Sequence, residues 1–426
     1  LEFRRVLSDL AATAKGVPAL TRLEEDITCD VCIIGAGYTG LSAALHLAEK
    51  GYKPVVLEAE RIGWGASGRN GGQLGTTLRK DQSELEARYG KETAHLLWDL
   101  AKDSVSTVKS IIERYKIDCD LTPGILHAAW KRRDAAALEE EAAHMREAYG
   151  YGKLRYVPRE EMREMVASPR YWGGALDEGA AHLHPLNFAL GMAEAAKEKG
   201  ARIFEDSRVL DISESDPAHI RTAHGTVKAS HVVIACNGYL GKLESRVNGY
   251  IMPINNFIIA TEPLGAEGAK ALIRDNVAVA DTKFVIDYYR LSPDGRLLFG
   301  GGENYSPNFP KDIAAFVRKP MLRVFPQLKD VRIDYAWGGT LAITLSRMPQ
   351  FGRLAPNRIF AHGYSGQGIN VATLAGKLIA ETVSGTAERF DLLASMKTQK
   401  FPGGTLLRYP GLVAGMLFYA MKDRLP

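Results

Sequence analysis

The sequence predicts an α/β fold in which a Rossmann-like, doubly wound domain is joined to a mixed α+β domain built on a mostly antiparallel sheet. Three observations predict it. An apolar run, a glycine-bearing turn, a small-residue helix and a second apolar run follow one another from Asp30 to Glu58. The same α/β grammar returns at Pro185–Gly238 and after Arg358. Between Ile251 and Tyr335 the pattern instead alternates with period two, the spacing of half-buried strands.

The first unit reads DVCIIGAGYTGLSAALHLAEKGYKPVVLE. Gly35 permits the tight turn out of the strand, Gly37 lets backbone approach a pyrophosphate, and Gly40 lets the helix pack closely on the strand. The helix then offers its N-terminal amides to phosphate. Glu58 ends the second strand about twenty residues on, where a carboxylate accepts ribose hydroxyls and repels a 2′-phosphate. The expected nucleotide is therefore FAD or NAD, not NADP. The alternative is an ordinary glycine-rich turn in an α/β protein. Cys29 and Cys32 lie on the first strand without a second ligand pair to complete a zinc site, and are expected to be buried hydrophobes.

A glycine-rich crossing, GWGASGRNGGQLG, runs from Gly63 to Gly75, a density expected where backbone must lie against something flat or charged. Helical periodicity then dominates from Gln82 to Tyr149. From Pro185 a helix through Ala193 and Ala196, strands near Ile203 and Val209, and a strand over His231–Ala235 return to the nucleotide sheet. The segments NNFIIATEP, FVIDYYRLS and GRLLFGGG read as strands of the second sheet, and RIFAHGYSGQGINVATLAGKLIAETV reads as strand, glycine-rich turn and helix.

The chain has 426 residues, 46% hydrophobic, enough for a large core in two or three domains. With 54 basic and 50 acidic residues the formal charge is only +4, and the basic residues are scattered apart from Lys131, Arg132 and Arg133, so nothing calls for nucleic acid. No secretory signal pattern is visible and a cytoplasmic location is expected. The apolar stretch Leu412–Met421 is shorter than the about 20 residues that span a bilayer. It is either a packed terminal helix or, with Lys422 and Arg424, a weak membrane-surface contact that would place the protein on the inner membrane's periphery.

Three blocks together, GAGYTG with Glu58, GASGRNGGQL and GYSGQGI, resemble the D-amino-acid-oxidase-like superfamily of FAD-dependent amine oxidases, in particular its gamma-glutamylputrescine-oxidase branch. The likeness continues through DCDLTPGIL, HLHPLN, DYYRLSPDGRLLFGGG, FPQLKDVRIDYAWGG, TLSRMPQFGR and the terminal FPGG with DRL. It implies FAD as the cofactor and a FAD/NAD(P)-binding Rossmann-like domain with a substrate domain of the glycine oxidase and sarcosine oxidase type. The implied division is an arm over 1–27, a discontinuous FAD-binding domain over 28–78, 185–245 and 335–395, a substrate domain over 79–184 and 246–334, and a tail over 396–426.

The resemblance also implies site residues. Gly35, Gly37 and Gly40 take the pyrophosphate, and Glu58 the adenosine ribose. Ser67, Arg69, Asn70, Gly71, Gly72 and Gln73 line the flavin, the Val209 backbone holds adenine, and Gly366, Gln367, Gly368 and Ile369 lie near the pyrimidine edge of the ring. Tyr38, Thr39, Ala59, Gly238 and Gly363 are counted with the cofactor site. The last turn also makes sense alone, because a helix starting after Gly368 aims amides and a positive dipole end at its ligand; simple capping by Gln367 and Asn370 is the alternative.

The implied chemistry is oxidation of a C–N bond by hydride transfer to the flavin, followed by imine hydrolysis, on gamma-glutamylputrescine or a related primary amine. Tyr288, Trp337 and Arg69 are the catalytic candidates. Tyr288 and Arg290 share one strand face with Tyr289 on the other. Tyr288 is either substrate-facing or an ordinary strand aromatic, and Trp337 either walls the flavin or is a core residue. His182 and His184 are expected on one side of a strand, structural rather than metal-binding, and no metal is expected. His362 is within possible reach of the flavin, with a satisfied loop histidine as the alternative.

Leu341 stands where many amino-acid oxidases of the superfamily carry a carboxylate-clamping arginine in GLRP, so a free α-amino acid loses that anchor; Arg290, Arg347 and Arg69 remain as carboxylate holders. The electron acceptor is oxygen or a quinone. Two other readings stay open: a secondary amino acid oxidase or dehydrogenase, L-pipecolate-like, delivering electrons to a membrane quinone, and a flavin-binding assembly or tRNA-modification module without amine oxidation.

Overall fold

The computed structural model describes residues 8–16, 20–304, 308–405, 407–408 and 410–411. The C-terminal stretch from 412 onward, on which the expectation of a packed or membrane-facing tail falls, lies outside the described residues.

The apolar run Ile27–Ile34 (β1) is the inner strand of a mainly parallel sheet, pairing with Pro54–Leu57 (β2) on one side and Thr226–Ile234 on the other. β1 is buried along most of its length, as a strand covered on both faces must be. Cys29 and Cys32 are among its buried residues. The sheet continues outward through Arg202–Phe204 beside β2 and Arg358–His362 beside Thr226–Ile234.

Helix Tyr38–Glu49 (α1) connects β1 to β2, and helix Gly368–Val383 packs against it. The helices meet closely because Gly376 faces α1; a Cβ there would lie 2.5 Å from both Thr39 O and Ala43 N. Val31, Leu41, Val56, Val233, Leu374 and Ile379 share the resulting core.

The second sheet is mostly antiparallel, ordered from Ile333–Ile343 through Met252–Thr261, Leu297–Asn304, Tyr288–Leu291, Ala278–Asp281, Thr122–Ala128 and Gly174–His182 to Gln73–Leu74. One pair in it is parallel, Ala278–Asp281 with Thr122–Ala128. Phe257, Val279, Tyr289, Phe299 and Phe325 pack together on its outer face.

Several sequence expectations are corrected here. The helical stretch Gln82–Tyr149 is interrupted by strand Thr122–Ala128, where Pro123 and Gly124 exclude a helix interior and Ile125 and Leu126 pair with Gly174–His182. Helix Lys91–Arg114, assigned to the substrate domain, buries Leu97, Trp98 and Val108 in the core of the first sheet. Residues 335–343, assigned to the FAD-binding domain, belong to the second sheet, as do Gln73 and Leu74. His182 and His184 do not share a strand face: the strand ends at His182, Pro185 opens a helix, and His184 caps it by accepting from Asn187 N at 3.1 Å.

Candidate functional site

At the carboxyl ends of β1 and β2, where ligands of open parallel sheets bind, the chain encloses a cavity of about 640 Å³. It runs from Arg208 and Val209 past Glu58 to Tyr288, Phe284 and Arg347, so one continuous space touches both sheets.

Each glycine of the first turn has a distinct reason to be glycine. Gly35 has φ +107 and a Cβ there would meet Ala235 O at 2.9 Å. A Cβ on Gly40 would lie 1.9 Å from Gly35 O, so α1 reaches the turn only because no side chain intervenes. Gly37 is backed by Ser67, whose Oγ accepts from Tyr38 N at 3.0 Å.

Glu58 closes this end. Its Oε2 accepts from Ala36 N at 2.7 Å and its Oε1 from Glu60 N at 3.0 Å. Burial raises its pKa above the ordinary carboxylate value, opposed by the amides of Ala36 and Glu60. A carboxylate offers about four acceptor positions, so these amides leave acceptor capacity for a ligand.

The three glycine-bearing blocks are tied to one another. Asn70 Nδ2 donates to Tyr38 Oη, Ala66 O and Ser67 O, and its Oδ1 accepts from Gly72 N at 2.8 Å. The hydroxyls of Thr39 and Tyr364 bond at 2.6 Å, and Arg79 Nε donates to Ser365 O at 2.8 Å. The turn before Gly368 leads into its helix with no side-chain cap on Gln367, while Asn370 Nδ2 donates to Thr77 O and Ser104 Oγ. Neither side chain caps, so the helix's N-terminal end faces the cavity without a competing protein acceptor at its cap position.

Of the residues singled out from sequence, Gly35, Gly37, Tyr38, Thr39, Glu58, Ala59, Ser67, Arg69, Asn70, Gly71, Gln73, Val209, Tyr288, Gly366, Gly368 and Ile369 line the cavity. Gly40, Gly72, Gly238, Gly363 and Gln367 do not. Gly72 has φ +80 and Gly363 φ +75, and a Cβ on Gly72 would lie 2.1 Å from Leu183 O.

Trp337 is also absent from the wall. It is fully buried, with Nε1 donating to Arg69 O at 3.0 Å, and packs with Ile258 and Leu298. It braces the Arg69 loop from behind, beneath the wall of the cavity rather than in it. Arg69 itself donates Nε to Trp64 O at 2.6 Å and Nη1 to Gly338 O at 3.2 Å, and its guanidinium lies 5.0 Å from the Trp64 ring centroid.

Tyr288 lies where its strand meets the cavity. Its ring is held between two glycines, since a Cβ on Gly71 or Gly300 would fall 2.5 or 2.1 Å from it, and its hydroxyl donates to Asn256 Oδ1. Arg290 shares that strand face but is buried beneath Gly71, donating to Gly71 O and Leu291 O. It does not line the cavity, which removes it as a carboxylate holder there. Sequence reasoning did not single out Trp64, Arg79, Asn256, Phe284 and Ile286, which do. Trp64 sits inside the quoted glycine block and was open to notice, whereas the others converge only through the fold.

The histidines lie off the wall. His182 Nε2 bonds Asn276 O at 2.7 Å, His184 Nε2 bonds Thr13 Oγ1 at 2.9 Å, and His362 Nε2 bonds Gln350 Oε1 at 2.7 Å. Among the described residues no group of three or more metal-ligating side chains converges. Burial lowers the His362 pKa to about 3. The unfolded imidazole takes a proton below about 6.5 while the folded one does not until about 3, so this residue's contribution to stability is lost progressively as pH falls through that window. His362→Gln should flatten the acid limb of unfolding free energy by up to about 1.4 kcal/mol per pH unit. Urea melts at pH 7, 6 and 5 check this, an unchanged slope counting against it.

A parallel sheet with a glycine-turn cradle at its carboxyl end, opening onto an antiparallel sheet, defines a dinucleotide-dependent oxidoreductase of two sheets around one cavity. The family described as FAD dependent oxidoreductase, DAO, matches residues 30–382, and the chain belongs to it. Gamma-glutamylputrescine oxidoreductase of Escherichia coli (strain K12) is 46% identical over 416 residues, 97% of each chain. The crystal structure of glycine oxidase from Geobacillus kaustophilus superposes with a TM-score of 0.72 at 24% identity, covering 86% of this chain and 97% of that one. L-proline dehydrogenase from P. horikoshii gives the same TM-score at 22% identity, with 85% and 95% covered. These two likenesses show the fold. The enzyme is thus FAD-dependent, and the cradle fits that cofactor: Gly35, Gly37 and Gly40 leave the space a dinucleotide needs, and Glu58 presents acceptors beside it. Among the described residues no helix is long and apolar enough to cross a membrane.

Proposed function

We propose that the protein oxidises the C–N bond of a primary amine of the gamma-glutamylputrescine type, with oxygen as electron acceptor. The observation that carries this is the single cavity in which the nucleotide cradle at Glu58 continues to Tyr288 and Asn256 on the second sheet. The 46% identical relative, named for gamma-glutamylputrescine, supports the substrate class.

In this reading Gly35, Gly37 and the α1 N-terminus hold the pyrophosphate, Glu58 the ribose, Val209 the adenine, and the Ser67–Gln73 and Gly366–Ile369 turns the flavin ring. FAD, when bound, supplies the acceptor for the hydride removed from the carbon beside nitrogen. The chain's own residues prepare the amine. An alkylamine with a lysine-like pKa of about 10 is protonated in water and must lose that proton before its lone pair can assist. Among the described residues the acids that line the cavity are Glu58 and Glu60, both at the end of β2, and Arg69, Arg79 and Arg347 line it as well. Exclusion of water disfavours an ammonium. Tyr288 commits its hydroxyl proton to Asn256 Oδ1, which presents Oη lone pairs to an amine N–H and orients the neutral nitrogen. The resulting imine hydrolyses in water to aldehyde and ammonia.

Turnover in air with gamma-glutamylputrescine, putrescine, sarcosine, L-pipecolate and D-alanine tests the reading; aldehyde, ammonia and hydrogen peroxide are expected with the first. Oxidation of L-pipecolate alone, without peroxide, would replace it with a secondary amino acid dehydrogenase. Tyr288→Phe should keep FAD and lose about tenfold in kcat/KM, the worth of one oriented hydrogen bond near 1.4 kcal/mol; unchanged steady-state kinetics would remove Tyr288 from the site.

A further inference from the structure

Between strands Ala278–Asp281 and Tyr288–Leu291 the chain reads TKFVID, an apolar stretch bracketed by charge. Phe284 and Ile286 of this stretch line the cavity, and Tyr288 follows them into it. A connection of this kind takes one course only if its backbone groups find partners within the fold.

Asp281 supplies them. Its Oδ1 accepts from Lys283 N at 3.3 Å and from Asp287 N at 3.0 Å, and its own N donates to Asp287 O at 2.9 Å. The base of the loop is tied to a second part of the chain. Thr282 N donates to Ala128 O at 3.1 Å, while Thr282 Oγ1 donates to Asp134 Oδ2 at 2.6 Å and accepts from Trp130 N at 3.0 Å.

Charge fixes the middle. Lys283 Nζ donates to Asp287 Oδ2, lies 3.2 Å from Asp281 Oδ2 and sits 4.5 Å from the ring centroid of Trp130. Both carboxylates are buried, and the lysine side chain is only 12% exposed. Burial raises the pKa of both carboxyl groups, and Lys283 opposes that in each. Room for Asp287 comes from the glycine beside the one that seats Tyr288: a Cβ on Gly301 would lie 2.5 Å from Asp287 Oδ1.

So dry an ion cluster is a costly way to close a connection, since apolar residues of the same volume often serve stability as well. What it adds is direction. A charge-assisted hydrogen bond and an aromatic face leave the ammonium one position, and the backbone between the two carboxylates follows it.

We propose that Lys283 is a positioning residue: anchored by Asp287, Asp281 and the face of Trp130, it holds Phe284 and Ile286 as an apolar wall for the methylene chain of a linear aliphatic amine, and so sets the chain length accepted. The inference rests on the amine oxidation proposed above and concerns the part of the substrate beyond its reacting carbon.

The test compares two amines on the FAD-loaded protein, gamma-glutamylputrescine and its homologue one methylene longer in the diamine. Wild type, Lys283→Met, Lys283→Met with Asp287→Asn, Lys283→Arg and Phe284→Ala are assayed, with flavin content, Tm and hydrogen exchange over residues 282–287 recorded for each. The kcat/KM ratio of the shorter to the longer amine should fall about tenfold in both lysine-free variants and in Phe284→Ala, the discrimination one methylene commands in a fitted apolar pocket. KM for the shorter amine should carry most of the change, with kcat within about twofold. Exchange over 282–287 should quicken in the lysine-free variants, and Lys283→Arg, which keeps the charge, should lie between them and wild type. A merely structural role would lower the active fraction and turnover of both amines alike and leave the ratio where it was. A ratio within about twofold of wild type in the lysine-free variants overturns the inference, whatever Phe284→Ala does; where neither variant holds FAD, Lys283→Arg decides on the same readouts. If wild type oxidises neither amine, the reaction falls and the selectivity with it, and exchange then decides the anchor alone: quickened without Lys283 it stands, unchanged it falls.

Discussion

Gly40→Ala should yield protein that no longer retains FAD. The added methyl carbon would lie 1.9 Å from Gly35 O and 3.2 Å from Ile33 Cγ2. A carbon to oxygen contact needs more than 3 Å, so α1 must withdraw from the turn by over about 1 Å. The backbone oxygen it meets cannot swing aside as a side chain would. Withdrawal moves the amides of the α1 N-terminus off the proposed pyrophosphate position and opens the packing of α1 against helix Gly368–Val383. Overpacking of this kind costs about 1–3 kcal/mol of stability even when the structure adjusts. The lost phosphate contacts are charge-assisted, about 1.5–3 kcal/mol each, so FAD affinity should fall at least about a hundredfold. Flavin content per chain after gel filtration and Tm of the apoprotein read the two effects. Full flavin content in the variant would show that α1 does not set the pyrophosphate site.

Glu58→Gln should weaken FAD about ten- to a hundredfold while leaving the fold intact. The carboxylate accepts two backbone amides, Ala36 N and Glu60 N. A glutamine has one oxygen, so its NH2 group must face one of those N–H donors, and a buried donor left without an acceptor costs about 1–3 kcal/mol. The same change removes an acceptor from the proposed ribose contact. Fluorescence titration of apoprotein with FAD measures it, and an unchanged Kd would refute the ribose role. Retention should recover partly in Glu58→Asp, which keeps the charge at shorter reach.

The nucleotide unit was legible because its constraints are local. Turn, helix and acid all follow from residues Asp30–Glu58: Gly35 makes the turn and Gly40 the close approach of helix to turn that their spacing implies. The second sheet's antiparallel character was equally readable from alternation. What alternation could not say is which sheet a strand joins: Ile333–Ile343 has a strand's composition in either, and only its pairing with Met252–Thr261 places it. Gln73 and Leu74 pair with His182 and Ala181, a contact with no local signature. Trp337 and Tyr288 were equally plausible in a wall or in the core. In the fold Gly71 and Gly300 leave Tyr288 a slot at the cavity, whereas Trp337 spends its indole N–H on the Arg69 carbonyl behind it. The Arg79 contribution was hidden because its partner, Ser365, is distant in sequence and engages it through a backbone oxygen.

The central claim is that three separated glycine turns enclose one FAD whose ring faces an amine pocket. Anaerobic titration of the flavin-loaded protein with gamma-glutamylputrescine, followed at the absorbance of oxidised flavin, tests it most directly. Complete bleaching at one equivalent of amine per flavin, reversed on admitting air, is the expected result. A correctly folded protein that takes up no FAD, or one whose bound flavin stays oxidised with every amine tried, would contradict it.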